Sequence, residues 1–133
     1  MPYHTEFIRH GTCVYQVGTG QLSGQEFINA ALDLRSAMKH ADQITHALVD
    51  LTTADGMNLS LEDVRRVVAI HCECSKVLKT FAIAIAAPSN LTFGLSRMYG
   101  ALLGSTGWRI QVVRTLNEAW AWLNEFQSDA HPR

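Results

Sequence analysis

Thr80-Phe81-Ala82-Ile83-Ala84-Ile85-Ala86-Ala87, closed by Pro88-Ser89-Asn90, is the stretch that decides the fold. Both alternating sets of positions are apolar: Phe81, Ile83, Ile85 and Ala87 in one, Ala82, Ala84 and Ala86 in the other. A strand with one wet face alternates apolar with polar residues. A strand without a polar set is covered on both sides, which is the habit of parallel sheets flanked by helices. Pro88 cannot donate to a ladder, and Ser89 and Asn90 are cap residues, so a helix is expected to open there. Its inward residues are expected to be Leu91, Leu95, Met98, Tyr99 and Leu102.

The same alternation of strand and helix runs outward in both directions. Toward the C-terminus, Gly104 and Gly107 flank a turn, Trp108 to Val113 reads as a strand, and Thr115-Leu116-Asn117-Glu118 has capping-box spacing before a helix burying Leu116, Ala119, Trp120 and Leu123. Toward the N-terminus, Ser60-Leu61-Glu62-Asp63 opens a helix with the stripe Leu61, Val64, Val67, Val68 and His71. Before it, Thr45 to Leu51 is a short strand, and Thr52 to Leu59, with Asp55-Gly56, reads as a turn. Ser23-Gly24-Gln25-Glu26 is another capping box, with Phe27, Ala30, Ala31, Leu34 and Met38 on one face of its helix. Tyr3 to Arg9 and Thr12 to Thr19 form a hairpin about His10-Gly11. The expected order is β-β-α-β-α-β-α-β-α: a mixed, largely parallel sheet with an N-terminal antiparallel hairpin and helices packed on it. One domain over residues 1–126 is expected, followed by a frayed tail over 127–133.

The totals exclude several classes. A chain of 133 residues with 47% hydrophobic and 17% charged residues can bury a core without staples. The 11 basic residues do not outnumber the 12 acidic ones, so no nucleic-acid binding is expected. The three cysteines, Cys13, Cys72 and Cys74, and the absence of a basic, apolar leader suggest reduced thiols and a cytoplasmic location. The apolar run from Phe81 to Pro88 is too short for a membrane span.

Gly18-Thr19-Gly20, Ala47-Leu48-Val49-Asp50-Leu51, Ala86-Ala87-Pro88-Ser89, Phe93-Gly94-Leu95-Ser96-Arg97-Met98-Tyr99 and Ala119-Trp120-Ala121-Trp122-Leu123 resemble the SpoIIAA-like, or STAS-like, family of small bacterial domains over nearly the whole chain. The resemblance implies that fold and a protein-interaction or regulatory role akin to anti-sigma-factor antagonists. In those, an Asp-Ser-Ser-Gly turn carries a serine phosphorylated by a partner kinase. Asn58-Leu59-Ser60-Leu61 stands there in this chain, so Ser60 matches the modified serine while the other three residues are replaced. Related CRAL-TRIO folds bind lipid-like ligands, which implies an alternative role in binding a small apolar or anionic molecule.

The residues themselves offer little catalytic chemistry. Ser60 is a cap with Asp63 as its capping-box partner, and a phosphate there would meet Glu62 and Asp63. His71 and Cys74 share a helical face that Cys72 cannot join, so no metal is expected. No thiol sits where it would be activated. Asp50 and the Ser89-Asn90 turn are expected at the C-terminal edge of the sheet, where open α/β folds take up ligands, and Arg97 near the boundary of a buried face. His46 is roughly 13 Å of strand from Asp50, too far for a dyad. Trp120 and Trp122 point about 200° apart on their helix, which leaves one for an interface. Asp50, Asn58, Ser89, Asn90 and Arg97 are thus the candidate ligand or partner residues, with Ser60 as candidate phosphosite. No catalytic residue and no cofactor are expected, and a protein partner or self-association is.

Overall fold

The computed structural model describes residues 3–38 and 43–130. Its elements follow the expected order: β1 (Tyr3–Ile8), β2 (Cys13–Ser23), α1 (Gly24–Ala37), β3 (His46–Asn58), α2 (Leu61–Ser75), β4 (Ala82–Ala86), α3 (Asn90–Leu102), β5 (Arg109–Val113) and α4 (Leu116–Ala130). The last helix runs to Ala130, past the start of the expected tail, of which 131–133 lie outside the described residues.

The strands lie side by side in chain order, β1 antiparallel to β2 and each later pair parallel. The hairpin turns through Arg9, His10 and Gly11, at φ of 54°, 60° and 83°. Two of these are non-glycine residues in the left-handed region, the conformation that matches a tight turn to the twist of the flanking strands. The strand order decides where the helices go. Parallel crossovers are right-handed, so a sheet that grows in one direction sends every crossover helix to the same face. Helices α1, α2 and α3 accordingly share one face with Val14, Ala47, Leu51, Ile83 and Ile85. Helix α4 follows the last strand and is free to cover the other face, over Leu48, Ala82, Ala84 and Ala86. β4 is buried on both faces, as its sequence demands, with isoleucines under three helices and alanines under one.

Three expectations need correction. β3 does not end at Leu51; it continues through the expected turn to Asn58, paired with β2 from Thr19↔Thr53 to Ser23↔Asn58. β2 likewise runs past Thr19 to Ser23. Two register shifts, at Val17/Thr19 and Gly20/Gln21, absorb the extra β3 residues, so turn-like residues are carried in a bulged ribbon. Leu61, Leu91 and Leu102 point outward: Leu61 is 47% and Leu91 58% exposed. In α2 the inward residues are Val64, Val67 and Cys74. In α3 they are Thr92 and Ser96, because the helix is phased by its short polar residues rather than by its leucines. Neither Trp120 nor Trp122 stands free: Trp120 stacks on Tyr15 under the Arg9 guanidinium, and Trp122 stacks on Phe126.

Candidate functional site

Between the sheet and helices α1, α2 and α3 lies a cavity of roughly 80 Å³. Ala30 and Ala31 on α1 and Ala47 on β3 contribute only methyl groups to its wall. Leu34, Val64, Val67, Ile83, Ile85 and Leu95 close most of the remaining wall. Met57 and Leu59, from the extension of β3 and the loop after it, also contribute. The cavity therefore depends on the part of β3 that reads as a turn.

Five polar side chains interrupt this lining: Tyr3, Gln16, His71, Ser96 and Tyr99. The Tyr99 hydroxyl and His71 Nδ1 are 2.7 Å apart, and the His71 ring also packs against Trp108. Gln16 Nε2 donates to the Ala30 carbonyl at 3.3 Å, tying β2 to α1. Burial pushes His71 down to about 4 and raises Tyr3 and Tyr99 above the usual phenol range, Tyr99 further through the nearby Tyr3 phenol. Each of these groups is neutral at pH 7. Among the described residues, no Asp, Glu, Lys or Arg lines the cavity.

The residues singled out in the sequence lie elsewhere, and no rim of Asp50, Ser89 and Arg97 forms around this cavity. Asp50 is buried in the middle of β3 on the α4 side. Its Oδ2 accepts from the Tyr15 hydroxyl at 2.8 Å, and its Oδ1 from the Thr52 N–H at 2.9 Å and the Thr52 hydroxyl at 2.6 Å. It anchors the first register shift. Ser89 caps α3 by accepting from the Thr92 N–H at 3.1 Å. Asn90 accepts from Arg114 at 3.0 Å. Asn58 is exposed at the end of β3, opposite Ser23. Arg97 is exposed beside a separate groove against β5, with Phe93 and Gly100.

Ser60 is exposed and caps α2: its hydroxyl accepts from the Asp63 N–H at 3.1 Å, while Asp63 Oδ2 accepts from the Ser60 N–H at 3.0 Å. The Asp63 carboxylate also lies against Gly24 so closely that a Cβ there would push it out of its place in the Ser60 cap. His46 and two of the thiols are held in their neutral forms. His46 is fully buried and pushed down to about 4 by burial and by Arg9, and burial pushes Cys13 and Cys74 up to about 11. Among the described residues no three His, Cys, Asp or Glu side chains converge as a metal site, and no helix is long and apolar enough to cross a membrane.

The site residues that sequence reasoning missed are Tyr3, Gln16 and Ser96. Ser96 carried a readable signal, a polar residue four positions after Thr92 in the only phase that sets both inward. Tyr3 and Gln16 carried none, since their meeting with α1 and α3 is a matter of tertiary packing.

In overall shape the chain is similar to an uncharacterised protein of the DUF3478 family with a SpoIIAA-like fold from Shewanella loihica, at 20% identity, with 91% of each chain covered and a TM-score of 0.58. It is similar to the phosphorylated form of the Bacillus cell-fate determinant SpoIIAA, at 16% identity over 91% of this chain and 98% of that one, with a TM-score of 0.59. It is also similar to the anti-sigma-factor antagonist SpoIIAA in its unphosphorylated form, at 9% identity over 94% of this chain and 97% of that one, with a TM-score of 0.59. No protein-family model and no curated protein matches the chain. At these identities the likeness speaks to architecture, and the chain has the SpoIIAA-like, STAS-type fold.

Proposed function

We propose that the protein is a binding module that takes up a small, largely apolar molecule between its sheet and helices α1, α2 and α3. The cavity is the observation that carries this reading. Cores are normally packed to the density of organic crystals. A partly open pocket of about 80 Å³ left unfilled between sheet and helices is space that a fitting ligand can occupy. Apolar walls with a few converging polar groups are the usual composition of a small-molecule site. Binding is tested with a panel of short-chain and single-ring compounds against the native chain and Ala31→Leu, which fills the cavity from α1. Binders are expected to raise the Tm of the native chain and to lose that effect in the variant. A panel that leaves the native Tm unmoved contradicts the reading.

A second reading, contact with a protein partner or another copy of the chain, is favoured by Leu61 and Leu91. Both sit in the first turn of a helix, 47% and 58% exposed. Each stands next to the serine that caps its helix, Ser60 or Ser89. Phosphorylation of Ser60 fits this reading less well, because the phosphate would displace the Asp63 carboxylate that already holds the cap. If this surface is an interface, Leu61→Glu with Leu91→Glu converts an associated species to monomer in sedimentation. A native chain that is already monomeric at every concentration and retains no partner through purification contradicts it.

A further inference from the structure

We infer that the ligand is a neutral molecule carrying a single hydroxyl or carbonyl group on a short alkyl chain or one ring, with that group held at the Ser96 and Tyr3 hydroxyls. The inference rests on the cavity being a binding site and names what the site selects. Size sets the first bound: the pocket offers about half of the ~150 Å³ that takes up benzene whole, so it admits no more than a short chain or one ring, part of which stays in its open mouth. Charge sets the second. The lining offers an ion no opposite charge among the described residues, and moving an unpaired carboxylate or ammonium into such a place is prohibitive.

The hydrogen-bonding inventory sets the third. Thr92, one turn before Ser96, donates its hydroxyl to the Ser89 carbonyl at 3.1 Å, the ordinary outlet for a hydroxyl on a helix. Ser96 is only 6% exposed and lines the cavity, yet among the described residues its hydroxyl has no hydrogen-bond partner. Tyr3 is only half-buried but also lines the cavity, and its hydroxyl likewise has no hydrogen-bond partner among the described residues. Both hydroxyls are accessible rather than sealed in the core, and two unpartnered hydroxyls on the wall of one cavity mark where a polar group of the occupant belongs. Both can donate and accept, which suits an alcohol or a carbonyl equally. The Tyr99 hydroxyl and His71 Nδ1 are already engaged with each other.

Hexanol, hexane and hexanoate, titrated at pH 7 with binding read from NMR shifts of cavity-lining residues, separate these requirements. Hexanol is expected to bind about tenfold more tightly than hexane, one good hydrogen bond's worth. Hexanoate is expected to bind at least a hundredfold more weakly than hexanol. Ser96→Ala is expected to bring hexanol down to the level of hexane, with Tyr3→Phe acting in the same direction. Hexanol and hexane binding alike, or hexanoate binding as well as hexanol, overturns the inference while leaving the cavity a binding site. Failure of all three to bind the native chain overturns both. The native series decides the question even if a variant does not fold.

Discussion

A carboxylate in the middle of a sheet is costly unless its lone pairs are taken up, and at Asp50 they are, by Tyr15 and by both donors of Thr52. The residue itself was legible in the sequence as a carboxylate closing an apolar run. Its surroundings were not, because Tyr15 lies 35 residues away and reaches Asp50 only through strand pairing. The histidines teach the same lesson with a measurable consequence. His46 and His71 are held neutral by burial, each pushed from 6.5 to about 4. The folded chain thus binds their protons more weakly than the unfolded chain does. Their contribution is complete above pH 6.5 and is lost as the pH falls toward 4. Between pH 7 and pH 5 the loss is roughly 2 kcal/mol per histidine. Urea unfolding at the two pH values checks this, and equal midpoints contradict it.

At the scale of elements, the caps were readable outright. Ser23, Ser60, Ser89 and Thr115 each accept from the backbone N–H three residues on, as their spacing requires. Ser60→Ala is expected to cost about 1 kcal/mol in chemical denaturation, and Ser60→Asp much less, since aspartate serves as well in that position. An equal loss for both would show that Ser60 matters through something other than its cap. What the local sequence hid was the length of β3. Thr52-Thr53-Ala54-Asp55-Gly56 has the composition of a turn, and it becomes strand only because Thr19 to Ser23 offers it a parallel partner. The phase of α3 was hidden in a similar way. Its leucines suggest one inward face, while Thr92 and Ser96 occupy the face that the sheet receives.

For the whole molecule, one sequence feature carried most of the architecture: an apolar strand at Ala82–Ala86 with no wet face requires helices on both sides. Chain-order strands and right-handed crossovers then place three helices on one side and leave α4 for the other. The candidate cavity lies between the sheet and helices α1, α2 and α3, away from the Asp50, Ser89 and Arg97 that the sequence singled out. Its lining was not legible, because a cavity is the volume that side chains from seven elements fail to fill, a sum no local pattern encodes. That unfilled volume is the centre of the functional account. The most direct measurement is an NMR spectrum of the native chain with saturating hexanol, recorded for nuclear Overhauser contacts between ligand and protein. Contacts from the alkyl protons to the methyl groups of Ala31, Ala47 and Ile85 are predicted, with the hydroxyl end nearest Ser96. Contacts confined to surface residues such as Leu61 and Leu91, or no contacts at all, would contradict the account.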